Sequence, residues 1–156
     1  MFNMSFKLVL ANYFLSLPGL SEREASLLIN AVIKLKIPKY CVLVGLYYFE
    51  ECLNSTSNIY RKLAASLYLG YRTFHDHYIN VKYWSMFTKV DTKSVIHYEN
   101  QILQKLNFSV HVNPSILDAT LDQLINIKNS IYTPMSPVSP MLSPRTGFQE
   151  VQMDNK

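Results

Sequence analysis

The sequence of 156 residues contains little glycine and little charge. Its four glycines, Gly19, Gly45, Gly70 and Gly147, are too far apart to form a glycine-rich phosphate-binding loop. They are also too few for a sheet protein of this size, which would need more turn glycine. Charged residues make up 17% of the chain, against 49% hydrophobic residues. This excess of apolar side chains excludes a globally disordered chain and indicates one domain with a core and a partner interface.

The sequence also lacks basic runs and long apolar runs. The formal net charge is only +4, and the charges of residues 131–156 cancel, so the excess lies in residues 1–130. A small excess without a Lys/Arg cluster predicts no nucleic-acid partner. Since no apolar run approaches the ~18 residues that span a bilayer, we expect no membrane partner either.

The sequence contains only two cysteines, and their spacing does not favour a disulfide bond. Cys41 and Cys52 are eleven residues apart, which on one helix is about three turns and too far for a disulfide. We interpret both as small buried residues in a reducing compartment. Asn12 and Tyr13 interrupt the apolar N-terminal segment, and no signal-peptidase pattern follows it. The nucleus or cytoplasm is therefore the expected location.

Capping signals and apolar periodicity predict six helices and hence an all-α fold. Ser21 and Glu24 match a capping box, in which each side chain accepts from the other residue's backbone N–H. Apolar residues then recur at helical spacing, and the helix ends before Pro38 because proline disfavours a preceding α conformation. The predicted helices cover residues 21–36, 38–53, 58–76, 82–87, 92–106 and 113–130. Residues 1–20 pack on these helices or on a partner.

The predicted helix at 58–76 is apolar nearly all round, which places it at the centre of a helix bundle. It contains the small residues Ala64, Ala65, Ser66 and Gly70. Gly70 costs about 1 kcal/mol of helix propensity relative to alanine. We therefore expect Gly70 to serve close packing against a neighbouring helix.

Glu99 interrupts the apolar stripe of the predicted helix at 92–106. A buried, unpaired carboxylate is costly, so Glu99 needs a partner. One interpretation is an internal ion pair with Arg72 or a partly solvated position at the edge of the stripe. The other interpretation is that both groups face a partner protein.

No catalytic or metal-binding constellation has recognisable spacing. His75, Asp76 and His77 are neighbours, but residues two apart on a helix do not face each other, and no third ligand is placed by spacing. We therefore expect a non-catalytic protein without a metal or cofactor. Four tyrosines are left open as core residues or interface anchors: Tyr47, Tyr68, Tyr78 and Tyr83.

The sequence after Ile131 changes character. Residues 131–147 contain four prolines and no helical period, which predicts a disordered tail over 131–156. The residues that precede these prolines form minimal proline-directed phosphorylation sites: Thr133, Ser136, Ser139 and Ser143. They reflect either the Ser- and Pro-rich composition of the tail or functional phosphorylation.

Three segments together resemble the cyclin box, over about residues 21–112. Residues 63–76 resemble its third helix, in which small and apolar residues lead to a basic and then an acidic residue. Tyr83-Trp84-Ser85 resembles the short fourth helix, and residues 98–108 resemble the fifth. The resemblance implies five helices around a central apolar helix, with an extra helix over 113–130. Among cyclins the chain is most similar to the small single-box fungal cyclins of the Pcl and Pho type.

The resemblance implies a regulatory subunit that binds and activates a cyclin-dependent kinase of the phosphate-sensing type. It also favours phosphorylation of the Ser/Thr-Pro sites by that kinase over a merely compositional origin. By residue matching, the kinase contacts fall on Arg72 and Glu99, with Thr73 and Asp76 beside them. The family usually has lysine where this chain has Arg72, and an aromatic residue where it has Thr73. The hydrophobic substrate-docking motif of mitotic cyclins is not visible in residues 27–32. The alternative is a cyclin-fold transcription or scaffold module without a kinase, which salt-dependent DNA binding would reveal.

Overall fold

The computed structural model describes residues 4–53, 57–75 and 79–132, with side chains to position 126 except that of Met4. Over these residues the protein is all-helical, as predicted. The α-helices are α1 Met4–Ser16, α2 Glu22–Lys34, α3 Lys39–Tyr48, α4 Ile59–Phe74, α5 Val81–Thr88, α6 Thr92–Lys105 and α7 Pro114–Tyr132. None of them is long and apolar enough to cross a membrane.

The predicted helices are confirmed, with ends that differ by one or two residues in all but one case. The exception is the range 38–53, where α3 ends at Tyr48 and a π-helical turn follows over Phe49–Leu53. Within this turn Phe49, Cys52 and Leu53 are all buried. Cys41 and Cys52 are buried and unbonded, as expected, and burial raises the pKa of the Cys41 thiol to about 11.

The predicted capping box is present at the start of α2. The Ser21 hydroxyl accepts from the Glu24 N–H at 3.1 Å, and the Glu24 carboxylate accepts from the Ser21 N–H at 3.0 Å. Asn58 lies at the N-cap of α4 but makes no side-chain cap hydrogen bond. Its backbone is left-handed (φ 52°), a conformation that asparagine tolerates better than most residues.

Helix α4 contains the longest continuously buried stretch among the described residues, since every residue from Leu63 to Tyr71 is buried. It packs against α3, α5 and α6. Hydrogen bonds fasten the segment around α5 to it. The Trp84 indole N–H donates to the Ala64 carbonyl at 2.9 Å, and the Tyr68 hydroxyl donates to the Ile79 carbonyl at 2.6 Å.

The N-terminal segment forms α1, which packs against α2 and α7. Its buried apolar residues include Phe6, Leu10 and Phe14. The buried Tyr13 hydroxyl donates to the Glu50 carboxylate, and burial raises the pKa of Tyr13. Among the tyrosines left open by the sequence, Tyr68 is buried, Tyr47 is half-buried, Tyr83 is exposed and Tyr78 lies outside the described residues.

Helices α3 and α4 touch backbone to backbone at two glycines. A Cβ on Gly70 would lie 2.6 Å from the Cys41 carbonyl oxygen and 2.7 Å from the Gly45 nitrogen. A Cβ on Gly45 would lie 2.8 Å from the Leu67 Cα. These distances are too short for a carbon atom, and the facing atoms belong to backbone, which cannot rotate away as a side chain can. The close-packing role predicted for Gly70 is confirmed.

Gly70→Ala is expected to destabilise the protein although alanine is the better helix former. Propensity alone would stabilise by about 1 kcal/mol, whereas overpacking against backbone costs typically 1–3 kcal/mol. We expect the free energy of unfolding, measured by urea titration, to fall. A rise of about 1 kcal/mol would show that α3 and α4 can separate without cost.

Candidate functional site

Arg72 and Glu99 are far apart in the sequence and meet in the structure. Arg72 follows Gly70 by two residues near the end of α4, and Glu99 lies in the middle of α6. The two helices pack together, and the Arg72 Nε–H donates to Glu99 Oε2 at 3.3 Å. The partner that Glu99 was predicted to need is therefore Arg72.

The two side chains differ sharply in exposure. The Glu99 side chain is 7% exposed, while that of Arg72 is 42% exposed. On α6 the carboxylate lies between the buried residues Val95 and Ile102, so its own helix supplies apolar surroundings. The pair is thus a buried anion capped by a cation that remains in contact with solvent.

The electrostatics of Glu99 reflect this asymmetry. Burial raises the pKa of the Glu99 carboxyl above its ordinary value of 4.5, while the charge and hydrogen bond of Arg72 act in the opposite direction. The net direction is upward because the solvated guanidinium compensates only part of the desolvation. The ionised Glu99 carboxylate is therefore incompletely stabilised, and a further hydrogen bond or positive charge would stabilise it.

Neighbouring contacts fix the end of α4 that carries Arg72. The Tyr40 hydroxyl, from the first turn of α3, donates to the Phe74 carbonyl at 2.9 Å. The His75 ring stacks on that of Tyr71, with centroids 4.7 Å apart. On α6, Ile96 precedes Glu99 by three residues and is 47% exposed. The ion pair therefore adjoins an exposed apolar side chain on one helix face.

Of the other predicted site residues, only Thr73 lies among the described residues. Thr73 is half-buried and follows Arg72 directly, so the two side chains point in different directions from α4. Asp76 lies outside the described residues, as do Thr133, Ser136, Ser139 and Ser143. The described residues contain no group of three His, Cys, Asp or Glu side chains that could hold a metal ion.

Sequence reasoning missed the Tyr40–Phe74 and Tyr71–His75 contacts. Tyr40 bonds to a backbone carbonyl 34 residues away, which leaves no pattern in the sequence. The spacing of four residues between Tyr71 and His75 is the one signal that was present, since such pairs are neighbours on a helix.

Replacing Glu99 by glutamine is expected to change how stability depends on pH. Because the folded-state pKa of Glu99 is raised, its contribution to stability is fully present below the unfolded value of 4.5 and is lost as pH rises through the folded value. Relative to the wild type, Glu99→Gln should therefore gain free energy of unfolding between pH 4 and pH 7. Denaturant titrations across this pH series measure the difference.

Arg72→Gln is the companion variant, since it removes the charge that holds the pKa of Glu99 down. It should steepen the loss of stability with rising pH and cost about 1–3 kcal/mol at pH 7. If the wild type instead gained stability relative to Glu99→Gln as pH rises, the folded-state pKa of Glu99 would lie below 4.5, and Arg72 would compensate more than the desolvation of the carboxylate.

Comparison of the chain with protein-family models, with curated proteins and with solved structures finds no match.

Proposed function

We propose that this protein is a regulatory subunit with a cyclin fold that binds and activates a cyclin-dependent Ser/Thr kinase, with a phosphate-sensing-type kinase favoured. The observation that carries the proposal is the Arg72–Glu99 pair. It joins the two residues that the cyclin resemblance assigns to kinase contact. The protein works in the nucleus or cytoplasm and contributes no catalytic group of its own.

The order of the helices supports a cyclin box over α2 to α6. These are five helices in sequence, and the third of them, α4, is the one in which every residue from Leu63 to Tyr71 is buried. The fourth, α5, has only eight residues, which suits the short fourth helix of the family. Helices α1 and α7 then correspond to additions before and after the box.

The geometry of the pair suits recognition of a kinase main chain. A guanidinium has five N–H donors in a planar fork, and the bond to Glu99 uses the one on Nε. The exposed part of Arg72 can donate to backbone carbonyls, while Glu99 fixes the orientation of the fork. A backbone N–H of the docked kinase would also donate a further hydrogen bond to the incompletely stabilised Glu99 carboxylate.

Activation then follows from a shift in conformational populations. The subunit binds the kinase conformation in which the catalytic Lys–Glu pair and the metal-binding groups are aligned, and so raises the population of that state. An interface of ordinary size would cover about 800 Å² on each partner. The exposed Ile96 beside Glu99 supplies apolar area at the point of contact.

A panel of cyclin-dependent kinases co-expressed with this chain tests the proposal. One or more should co-purify with it and show at least about tenfold higher phosphoryl transfer than the kinase alone. Arg72→Gln should reduce that activation about tenfold or more, as expected when a charged hydrogen bond worth about 1.5–3 kcal/mol is lost. Arg72→Lys should restore part of it, since lysine keeps the charge but not the fork.

Lys34→Gln is the matched control, because it removes an exposed cation from α2, a helix that carries neither residue of the pair. It should leave activation unchanged, and circular dichroism should show that every variant is folded. Failure of every kinase in the panel to bind would contradict the proposed function. Full activation by a folded Arg72→Gln variant would contradict only the assignment of the site.

A further inference from the structure

A basic pocket lies away from the Arg72–Glu99 pair, between the starts of α2 and α4 and the end of α5. Its volume is about 320 Å³. Three exposed cations line it, one from each element: Arg23 on α2, Arg61 on α4 and Lys89 at the C-cap of α5. We refer to it as the three-cation pocket.

The carboxylates near the three-cation pocket are engaged in helix caps. Glu24, which also lines it, accepts from the Ser21 N–H. Asp91 lies 4.0 Å from Arg61 Nε, but it accepts from the Ser94 hydroxyl at 2.8 Å and the Ser94 N–H at 3.1 Å. These hydrogen bonds lower the pKa of Asp91. Three cations against two anions leave a positive pocket.

A second pocket of equal volume carries no net positive charge. It also has a volume of about 320 Å³ and is lined by Glu50, Glu51, Lys62 and Lys105 among other residues. Two carboxylates and two ammonium groups cancel there. The three-cation pocket therefore differs in charge from a pocket of equal volume, and the second pocket provides a matched control.

An exposed apolar strip on α5 leads along the helix toward Lys89, which lines the three-cation pocket. Tyr83 and Met86 are 58% and 53% exposed, and their spacing of three residues puts them on one helix face. Lys89 follows Met86 by three more residues. From Tyr83 to Lys89 the rise is about 9 Å, the length of roughly three extended peptide residues.

We propose that the three-cation pocket and this strip bind the phosphorylated Ser/Thr-Pro segment of this chain, residues 133–144. A phosphoseryl group carries about −1.5 to −2 charges, and two arginine forks and a lysine are suited to hold it. Apolar residues lie beside the phosphorylation sites and match Tyr83 and Met86: Met135, Val138, Met141 and Leu142.

The length of the segment is comparable to the diameter of the domain. From Tyr132 to Ser143 an extended chain spans up to about 36 Å. A domain of this size has a radius of gyration of about 14 Å, so its diameter is of the same order as that reach. The inference rests on the proposed function, because the kinase partner supplies the phosphoryl groups.

Fluorescence anisotropy with synthetic peptides tests the inference on the full chain without any kinase. The probe is a labelled peptide of residues 131–146, phosphorylated at Ser139 and Ser143 or left unmodified. We expect the phosphorylated peptide to bind at least about tenfold more tightly, and more weakly as salt is raised. A scrambled peptide with the same two phosphates should bind several-fold more weakly, because its apolar residues no longer match the strip.

Variants then locate the binding. Arg23→Gln combined with Lys89→Asn should weaken binding about tenfold or more. Asparagine suits position 89 because Lys89 has a left-handed backbone (φ 64°). Met86→Ser should weaken the peptide several-fold, and Lys105→Gln, in the second pocket, should have little effect.

Three results would overturn the inference: equal binding of the unmodified peptide, equal loss on Lys105→Gln, or equal binding of the scrambled phosphopeptide. The last would show an occupant other than this segment. Because the phosphates are synthetic, none of these results bears on kinase activation, and failure of kinase binding leaves the peptide measurement intact.

Discussion

Backbone contact between α3 and α4 at Gly45 and Gly70 is the constraint on which the candidate site depends. Any side chain at either position would collide with backbone of the other helix. The contact fixes α4 only two residues before Arg72, and α6 packs on the same helix and carries Glu99. Separation of α3 and α4 would therefore move the guanidinium relative to the carboxylate that orients it.

The Arg72–Glu99 pair lowers the stability of the folded protein, because Glu99 is buried. A buried carboxylate held by a solvated cation is incompletely compensated, as the raised pKa of Glu99 indicates. An apolar residue in the stripe between Val95 and Ile102 would avoid that cost. Under the proposed function, a docking partner supplies the hydrogen bonds that the pair lacks in the free protein. This would offset the cost of the buried carboxylate and links the energetics of α6 to the proposed function.

Local rules in the sequence predicted six of the described helices and the need of Glu99 for a partner, with Arg72 as one candidate, while other features built from distant residues were missed. The Ser21–Glu24 capping box and the role of Gly70 follow from short-range patterns and packing. Glu99 was identified because a charge in an apolar stripe needs a partner. The π-helical turn after α3 was not predicted, since the apolar pattern continues through it. The three-cation pocket was missed because its residues belong to three separate elements.

Hydrogen–deuterium exchange on the subunit, alone and bound to a co-purifying cyclin-dependent kinase, tests the central claim most directly. That claim is that the kinase docks on the Arg72–Glu99 pair. The account predicts that binding slows exchange most in the peptides containing the end of α4 and the middle of α6, around Arg72 and Glu99. Protection confined to other helices, with these two segments exchanging as in the free subunit, would contradict it.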